Sequence, residues 1–431
     1  MARFLLATIP VVGHVAPMLP IAQTLVERGH QVVWYGGNLF QQRIVNTGAQ
    51  FMPMHEGLDY SILENVPAEV SAQRTKLKGL AQLKFDLEYF FIKPALGNTK
   101  DLLNLLKQFP ADALLADSFF IAAAWVNEIE GIPWAQLGVS ALAFPSRDTA
   151  PYGLGLHPDS SSFGRFRNQF LYGLLRNVVF RSLYASINET RSQLSLGSTN
   201  TLLFDLISPY LYLAGTVPGF EYPRSDLPPQ LHFVGPLLSQ LTTEFTPPAW
   251  WNDIQQSTPV IHVTQGTVAN NPKDLIIPTL QALANESVLI VVTTGQPTEI
   301  LTEFPLPSNA RVEQFIPHLY LLPYVDIMVT NGGYNGVQMA LAHGIPLIAS
   351  GKSEDKSEIC ARIDWRGVGV NLQTKTPKPN QVRQAVQQVL SNPLYRQNAK
   401  QLQTEIAQYH SVDLAANLLE TLTKTKKPIH N

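Results

Sequence analysis

The sequence predicts an α/β protein with two doubly wound domains, in each of which helices cover a parallel sheet. The chain has 431 residues, more than one ordinary domain, and its 45% hydrophobic content is enough for two cores. Short apolar runs that fit buried strands alternate with stretches of helical periodicity, and this alternation stops at a polar, Pro-containing stretch and then begins again. Such alternation implies parallel strands joined by right-handed crossovers.

The first domain is predicted to cover residues 1–235. A largely helical insertion at 58–109 interrupts its alternating pattern, and a single further helix is predicted over 163–183. Its strands are predicted at 4–8, 31–35, 49–54, 113–116, 134–139, 211–213 and 232–234.

The second domain is predicted at 251–400, after an interdomain linker at 236–250 that is polar and contains proline. A polar, helical tail follows at 401–431, able to pack on either domain, and its last residues, 424–431, are expected to be disordered. The strands of this half are predicted at 260–263, 288–292, 312–315, 325–329, 347–349 and 368–370.

Composition excludes several classes of protein. The net charge of −2 comes from interspersed acids and bases, without the basic stripe of a nucleic-acid binder. Cys360 is the single cysteine, so an internal disulfide and a cysteine-based zinc site are both excluded. No apolar run reaches the ~20 residues of a membrane span, and the N-terminal run lacks a cleavage pattern. We therefore expect no stable membrane insertion and a cytoplasmic location.

Two chemically useful residues of the first domain should meet at one crevice. In a sheet of order 3-2-1-4, the first and fourth strands are neighbours, and ligands bind at their carboxyl ends. The first strand leads into Gly13 and His14, and the fourth ends at Asp117. A carboxylate beside an imidazole fixes its tautomer and makes it a competent general base for a hydroxyl. His14 and Asp117 are therefore the predicted catalytic pair, although Asp117 could instead cap the helix that follows it.

The same rule applied to the second domain predicts an anion site. Gly266 and Thr267 follow its first strand, and the Gly- and Asn-rich stretch 331–336 follows its fourth and precedes a helix. Backbone N–H groups and a helix N-terminus suit a diphosphate. The GxxxxGK[ST] pattern is absent, so we expect neutral donors, no cofactor and no obligatory metal.

Two neighbouring loops complete the predicted ligand site. Glu354 and Asp355 come shortly after the strand that ends at Ser350, where carboxylates suit the hydroxyls of a sugar. The loop 315–318 follows the third strand, and its backbone could read the edge of a nucleotide base.

The complete pattern resembles the family 1 glycosyltransferases, the UDP-glycosyltransferase superfamily, and within it the bacterial, macrolide-glycosyltransferase-like branch. The resemblance covers nearly the whole chain and implies the GT-B fold, in which two Rossmann-like doubly wound domains face each other across a cleft. It rests on Gly13-His14, Phe233-Val234-Gly235-Pro236, Gln265-Gly266-Thr267, Phe315-Ile316-Pro317-His318, and the run from Asn331 through Ala342-His343-Gly344-Ile345-Pro346 to Glu354-Asp355.

The resemblance implies roles for individual residues. The residue matching His14 is the catalytic base, supported by the acid matching Asp117, and the acidic pair contacts the hydroxyls of the donor sugar. Two positions depart from the family pattern: Asn331 stands where a phosphate-contacting histidine is usual, and Lys356 where many relatives carry glutamine. The predicted donor-binding residues are Gly13, Gly266, Thr267, Phe315, Ile316, His318, Asn331, Gly333, Tyr334, Asn335, Gly336, Glu354, Asp355 and Lys356.

The predicted activity is inverting transfer of a hexose from a UDP- or dTDP-sugar to a hydroxyl of an apolar small molecule. The acceptor should bind the insertion at 58–109 and the irregular stretch after Pro145; the insertion's aromatic residues, Phe85, Tyr89, Phe90 and Phe91, fit either the core or this pocket. No nucleic-acid partner is expected, and the protein could be a monomer or a dimer.

Three rival hypotheses stay open. A nucleotide-sugar epimerase or hydrolase could use the same fold, and a catalytically silent relative could bind a nucleotide sugar or a partner protein without catalysing a reaction. A nicotinamide-dependent oxidoreductase is disfavoured, because the first strand is not followed by GxGxxG.

Overall fold

The computed structural model describes residues 1–238, 245–256, 259–266, 271–352 and 355–431. Strands and helices alternate in the first half, with additional π-helical turns at Leu87–Ile92 and Leu175–Val179. The elements are β1 (Arg3–Ala7), α1 (Val12–Val15), α2 (Leu19–Glu27), β2 (Gln31–Gly36), α3 (Gln41–Val45), β3 (Gln50–Pro53), α4 (Ala68–Lys76), α5 (Gly79–Asp86), α6 (Pro94–Gln108), β4 (Ala113–Asp117), α7 (Ala122–Glu130), β5 (Trp134–Gly138), α8 (Ser162–Leu174), α9 (Arg181–Ser192), β6 (Leu211–Ala214) and β7 (Leu231–Phe233).

The second half repeats this plan on a smaller scale. Its elements are α10 (Asn252–Gln256), β8 (Val260–Thr264), α11 (Ile276–Leu283), β9 (Leu289–Thr293), β10 (Ala310–Glu313), α12 (His318–Leu321), β11 (Ile327–Thr330), α13 (Tyr334–Ala342), β12 (Leu347–Ala349), α14 (Lys356–Trp365), β13 (Gly369–Asn371), α15 (Pro379–Ser391), α16 (Pro393–Ile406) and α17 (Ser411–Thr425).

Both sheets are parallel, and both have the predicted switch point. The first has the order β3-β2-β1-β4-β5-β6-β7 and the second β10-β9-β8-β11-β12-β13. β1 therefore lies beside β4, and β8 beside β11. Each pair places the loops that leave its carboxyl ends next to each other, which confirms the predicted α/β fold class.

The strands are buried on both faces because helices cover both sides of each sheet. In β1, side chains alternate across the sheet, so Phe4 and Leu6 pack into one apolar cluster while Leu5 and Ala7 pack into another. This double burial explains why the strands read as continuous apolar runs in the sequence.

The prediction of a single helix over 163–183 is wrong. This stretch forms two helices, α8 and α9, separated by the π-helical turn Leu175–Val179.

The expected disorder of residues 424–431 is also wrong. The Ile429 N–H donates to the Tyr210 carbonyl at 2.9 Å, and the Asn431 N–H donates to the Pro229 carbonyl at 3.0 Å. These bonds attach the chain end to the first domain.

The C-terminal helix α17 also returns to the first domain. It packs against α2, with Ala415, Ala416, Leu419 and Leu422 buried in the same cluster as Phe4. Part of the predicted linker, residues 239–244, lies outside the described residues, and the limits proposed for the domains stay a prediction.

A buried ionic network joins the two halves. The Arg362 guanidinium of α14 donates to Glu221 at 3.0 and 3.1 Å and to Glu358 at 3.0 Å. Glu358 in turn accepts the N–H groups of Gly153 and Gly155 at 2.9 and 2.8 Å. All three charged side chains are almost completely buried. The network therefore fixes α14 against the first half of the chain.

Candidate active site

The structure brings His14 and Asp117 together at the switch point of the first sheet. His14 lies in the short helix α1 immediately after β1, and Asp117 is the last residue of β4. The His14 Nδ1 and an Asp117 carboxylate oxygen are 2.9 Å apart. With Nδ1 donating to this carboxylate, the imidazole is in the tautomer whose Nε2 can accept a proton.

Main-chain donors hold the Asp117 carboxylate in place. One oxygen accepts the Ile9 N–H at 2.7 Å, and the other accepts the Phe119 N–H at 2.9 Å in addition to His14. The carboxylate is buried, whereas the His14 side chain keeps 15% of its surface exposed. Asp117 thus caps the turn after β4 and also orients His14, so the two interpretations of this residue are compatible.

A group of aromatic side chains adjoins His14 through Phe119. The Phe119 ring centroid is 5.5 Å from that of His14, and Phe91 and Phe204 contact Phe119 at 6.1 and 6.0 Å. Tyr152 continues the group, 5.7 Å from Phe204. Of the predicted aromatic residues, Phe91 therefore belongs to the His14 neighbourhood.

Phe85, Tyr89 and Phe90 precede Phe91 in the insertion, and the Tyr89 ring contacts the rings of both Phe85 and Phe90. The sequence pattern did not separate these rings from Phe91.

The two Gly-containing loops of the second sheet also meet. The Asn331 side-chain amide donates to the Gln265 carbonyl, and its oxygen accepts the Gly333 N–H at 3.3 Å. Asn331 is 7% exposed, and its amide bridges the loop after β8 and the loop after β11. An amide can donate and accept at once, so asparagine suits this bridging position.

Glycines allow close backbone approach around this bridge. Gly332 has a φ of +83°, and a Cβ there would lie 2.7 Å from the Cys360 sulfur. A Cβ at Gly351 would lie 2.1 Å from the Asn331 carbonyl oxygen. Glycine at these positions lets the loops after β11 and β12 pass beneath the N-terminus of α13.

Helix α13 places its first turn against the first domain. Gly333 is its N-cap residue, and the Asn335 amide donates to the Gly13 carbonyl at 3.5 Å. A Cβ at Gly336 would lie 3.5 Å from the terminal methyl carbon of Met328. The loop after β11 and the His14 loop are therefore neighbours.

The Tyr334 ring packs in the apolar cluster between the two halves. Burial raises the pKa of its hydroxyl above the ordinary value. Its main-chain N–H lies in the first turn of α13.

The loop after β10 is only partly as predicted. Phe315 is exposed, whereas the Ile316 side chain lies in the core; the contact of this loop with a nucleotide base stays a prediction. His318 begins α12, and its ring lies 5.7 Å from that of buried His262. Burial lowers the pKa of His318 to about 4, so this imidazole is neutral at physiological pH.

Of the predicted sugar-binding pair, Asp355 is the N-cap residue of α14. One Asp355 oxygen accepts the Ser140 hydroxyl of the first half at 2.5 Å. The Lys356 side chain is buried and lines a small cavity with Asn331 and Gln265. Gly266 lies at the rim, with a φ of +69°. Thr267 and Glu354 lie outside the described residues.

Comparison with known proteins identifies the family. The chain is 46% identical over 423 residues to 4'-demethylrebeccamycin synthase of Lentzea aerocolonigenes, covering 98% of this chain and 99% of that one. The chain belongs to the family 1 glycosyltransferases. UDP-glycosyltransferase 2 of Phaeomoniella chlamydospora is 32% identical, with 97% and 94% covered. Residues 277–421 match the family model of the erythromycin biosynthesis protein CIII-like C-terminal domain. The protein is accordingly a glycosyltransferase.

Solved structures confirm the GT-B fold of this glycosyltransferase. The glycosyltransferase of kitacinnamycin superposes with a TM-score of 0.75 at 20% identity, covering 97% of this chain and 98% of that one. The calicheamicin glycosyltransferase CalG4 gives a TM-score of 0.72 at 20% identity, with 99% of this chain and 100% of that one covered.

Within the described residues, no helix is long and apolar enough to cross a membrane, and no group of three or more His, Cys, Asp or Glu side chains could hold a metal.

Sequence reasoning missed two contributors to the site. Ser140 follows β5, the strand beside β4, so its position at the carboxyl edge of the first sheet was a usable signal. The Gln338 amide of α13 donates to the Thr216 hydroxyl at 2.8 Å, an interdomain contact that no local pattern indicates.

Proposed function

We propose that this glycosyltransferase moves a hexose from a UDP- or dTDP-sugar to a hydroxyl of an apolar small molecule, with inversion at the anomeric carbon. The observation that carries the proposal is the His14–Asp117 pair, 2.9 Å apart, together with the contact of the neighbouring Gly13 carbonyl with the Asn335 amide in the first turn of α13, at 3.5 Å. It offers a base on the acceptor side and a helix N-terminus on the donor side.

In the proposed reaction, His14 Nε2 takes the proton of the acceptor hydroxyl as its oxygen attacks the anomeric carbon. The bond from that carbon to the diphosphate oxygen breaks in line, and the nucleoside diphosphate leaves with the electron pair. Attack opposite the leaving group inverts the anomeric centre. Asp117 stabilises the imidazolium that forms and keeps Nδ1 protonated.

The donor side should stabilise the leaving diphosphate. The main-chain N–H groups at the start of α13 and the helix dipole favour negative charge at this place. Lys356 brings a cationic side chain to the neighbouring cavity, and we expect the Asp355 carboxylate, which accepts the Ser140 hydroxyl, to accept hydroxyls of the sugar as well. These groups suit a diphosphate without an obligatory metal.

Relatives support the class of donor. One similar curated protein is named UDP-glycosyltransferase 2, and solved structures of the same fold include VinC in complex with DTDP and the spinosyn rhamnosyltransferase SpnG complexed with thymidine diphosphate. The aromatic group around Phe119 supports an apolar acceptor, since ring faces favour flat, weakly polar surfaces.

A variant at the base tests the proposal. Wild type, His14→Ala and the control His430→Ala, an exposed histidine near the chain end, are each incubated with UDP-glucose or dTDP-glucose and a panel of hydroxylated aromatic acceptors. Glycoside formation is followed by mass spectrometry, and NMR coupling constants give the anomeric configuration. Calorimetry measures the binding of UDP and dTDP to each variant.

We expect His14→Ala to lose about 10²–10⁴-fold in turnover and to keep nucleotide affinity, because the base does not touch the diphosphate. Full turnover by this variant would overturn the assignment of the base. Sugar release or epimerisation without an acceptor would favour a hydrolase or epimerase. Absence of any nucleotide binding to the wild type would favour a catalytically silent relative.

A further inference from the structure

Helix α8 and the π-helical turn after it carry a row of exposed apolar side chains. Their spacing of three or four residues places them on one side of the helix. We name this row the α8 stripe; its members are Phe163, Phe166, Phe170, Leu174 and Val178, which are 75, 68, 62, 42 and 66% exposed. Five exposed apolar side chains in a row exceed the scattered single residues that are normal on a surface.

The opposite side of α8 is fixed to its own domain. Asn168 is fully buried and its amide donates to the Arg147 carbonyl at 3.0 Å. Gly164 is also buried, and its N–H donates to the Ser161 hydroxyl that caps the helix, at 3.0 Å. The helix cannot roll the α8 stripe into its own core without breaking these contacts.

The segment that holds the α8 stripe is basic, although the whole chain is slightly acidic. Residues 160–188 contain four arginines and no aspartate or glutamate, against a net charge of −2 for the protein. Arg165 is paired with Asp148 at 2.8 Å, whereas Arg176 and Arg181 are exposed. Phenylalanine and arginine on one surface helix are the composition of helices that lie in the lipid–water interface.

We propose that the α8 stripe docks this enzyme on the surface of an anionic lipid bilayer. The phenyl rings enter the boundary of the acyl chains, and the arginines contact lipid phosphates. This contact is peripheral and needs no spanning helix. A second copy of the chain fits less well, because a two-fold symmetric contact through this face would bring the arginines of both copies together.

The docked surface is continuous with the His14 neighbourhood. Phe180 and Tyr184, which follow the α8 stripe in the chain, pack in the same cluster as Phe119, next to His14. An apolar acceptor dissolved in the bilayer would thus lie close to the proposed acceptor side. Vesicle binding itself is measured without donor or acceptor, so its outcome is separate from that of the proposed transfer reaction.

Vesicle co-sedimentation tests the proposal. The full-length protein is mixed with vesicles of pure phosphatidylcholine, or with vesicles that also contain about 30 mol% phosphatidylglycerol as the anionic lipid. The variants are Phe163→Ser/Phe166→Ser/Phe170→Ser, which removes apolar surface, and Arg176→Gln/Arg181→Gln, which removes charge. The matched control is Leu390→Ser/Leu394→Ser, which removes exposed apolar side chains from the second domain.

We expect the wild type and the control to bind anionic vesicles, the phenylalanine variant to bind them at least about tenfold more weakly, and the arginine variant to lose the preference for anionic lipid. Thermal unfolding should be nearly unchanged in every variant, since the replaced side chains are largely exposed. Equal binding by the wild type and the phenylalanine variant, or no binding by either, would overturn the proposal. So would a wild-type dimer that the phenylalanine variant converts to a monomer, because the α8 stripe would then be a contact between protein chains.

Discussion

Replacing Asp117 by asparagine should disable the proposed base while preserving the shape of the side chain. The carboxylate accepts three N–H groups: that of Ile9 on one oxygen, and those of Phe119 and His14 on the other. An asparagine has a single acceptor oxygen, so either orientation of its amide places an NH₂ group against an N–H donor.

The two orientations have different consequences. If the amide oxygen faces Ile9, the NH₂ group opposes Phe119 and forces the His14 Nδ1 to accept, which leaves the proton on Nε2 and removes the base. If the oxygen faces His14, the buried Ile9 N–H loses its acceptor, and the imidazolium that forms on His14 loses the negative charge that stabilises it. A hydrogen bond to a charged group contributes about 1.5–3 kcal/mol, so we expect this much loss of unfolding free energy in either case.

The assay is turnover at saturating donor and acceptor over a range of pH, with nucleotide affinity measured by calorimetry. Loss of general base catalysis should lower kcat by about 10²–10⁴-fold, while the affinity for UDP or dTDP stays within a factor of two or so. Glu130→Gln, an exposed carboxylate on α7, is the matched control and should behave like the wild type. A kcat of Asp117→Asn equal to that of the wild type would refute the assigned role of the pair.

Three further predictions concern stability. Burial lowers the pKa of His262 to about 3 and that of His318 to about 4, against 6.5 for a free imidazole. The unfolded chain therefore binds more protons than the folded chain below about pH 6.5. Each imidazole should lower the free energy of unfolding by about 2 kcal/mol at about pH 5 relative to neutral pH. Urea unfolding at both pH values measures the difference, and an equally large loss in His262→Gln would contradict the contribution of His262. Gly332→Ala should lower the free energy of unfolding by about 1–3 kcal/mol, because the φ of Gly332 is +83° and a Cβ there would lie 2.7 Å from the Cys360 sulfur. Gly333→Ala is the control and should not destabilise the protein, because the φ of Gly333 is −62°. Thermal unfolding of the two variants measures the difference. Arg362→Ala leaves two buried carboxylates without their cation and should cost about 3–5 kcal/mol; an unfolding midpoint equal to that of the wild type would show that the network contributes nothing.

The switch-point rule explains why the catalytic pair could be predicted. His14 and Asp117 are distant in sequence, but each follows a recognisable apolar strand, and the strand order places those strands side by side. The same reasoning placed Asn331 beside the loop that holds Gly266. In both cases a local pattern and one topological rule were enough.

Other features had no local signal. The break between α8 and α9 is a π-helical turn whose own residues, Leu175–Val179, include no proline or glycine; the nearest glycine, Gly173, lies inside α8. The pairing of Arg362 with Glu221 depends on how the two sheets dock, which hydrophobic periodicity does not encode. The attachment of Ile429 to the first domain is a main-chain hydrogen bond, which any residue type could have made.

The return of α17 to the first domain has a mechanical consequence. The chain passes between the two halves twice, once through the predicted linker and again between α16 and α17. The two crossings lie side by side, because a Cβ at Gly235 would stand 2.5 Å from the Tyr409 Cβ and 2.6 Å from the Ser411 hydroxyl oxygen. Any movement of one half against the other should therefore pivot at this single place. Such movement would also have to separate Arg362 from Glu221, whose buried contact joins the halves elsewhere.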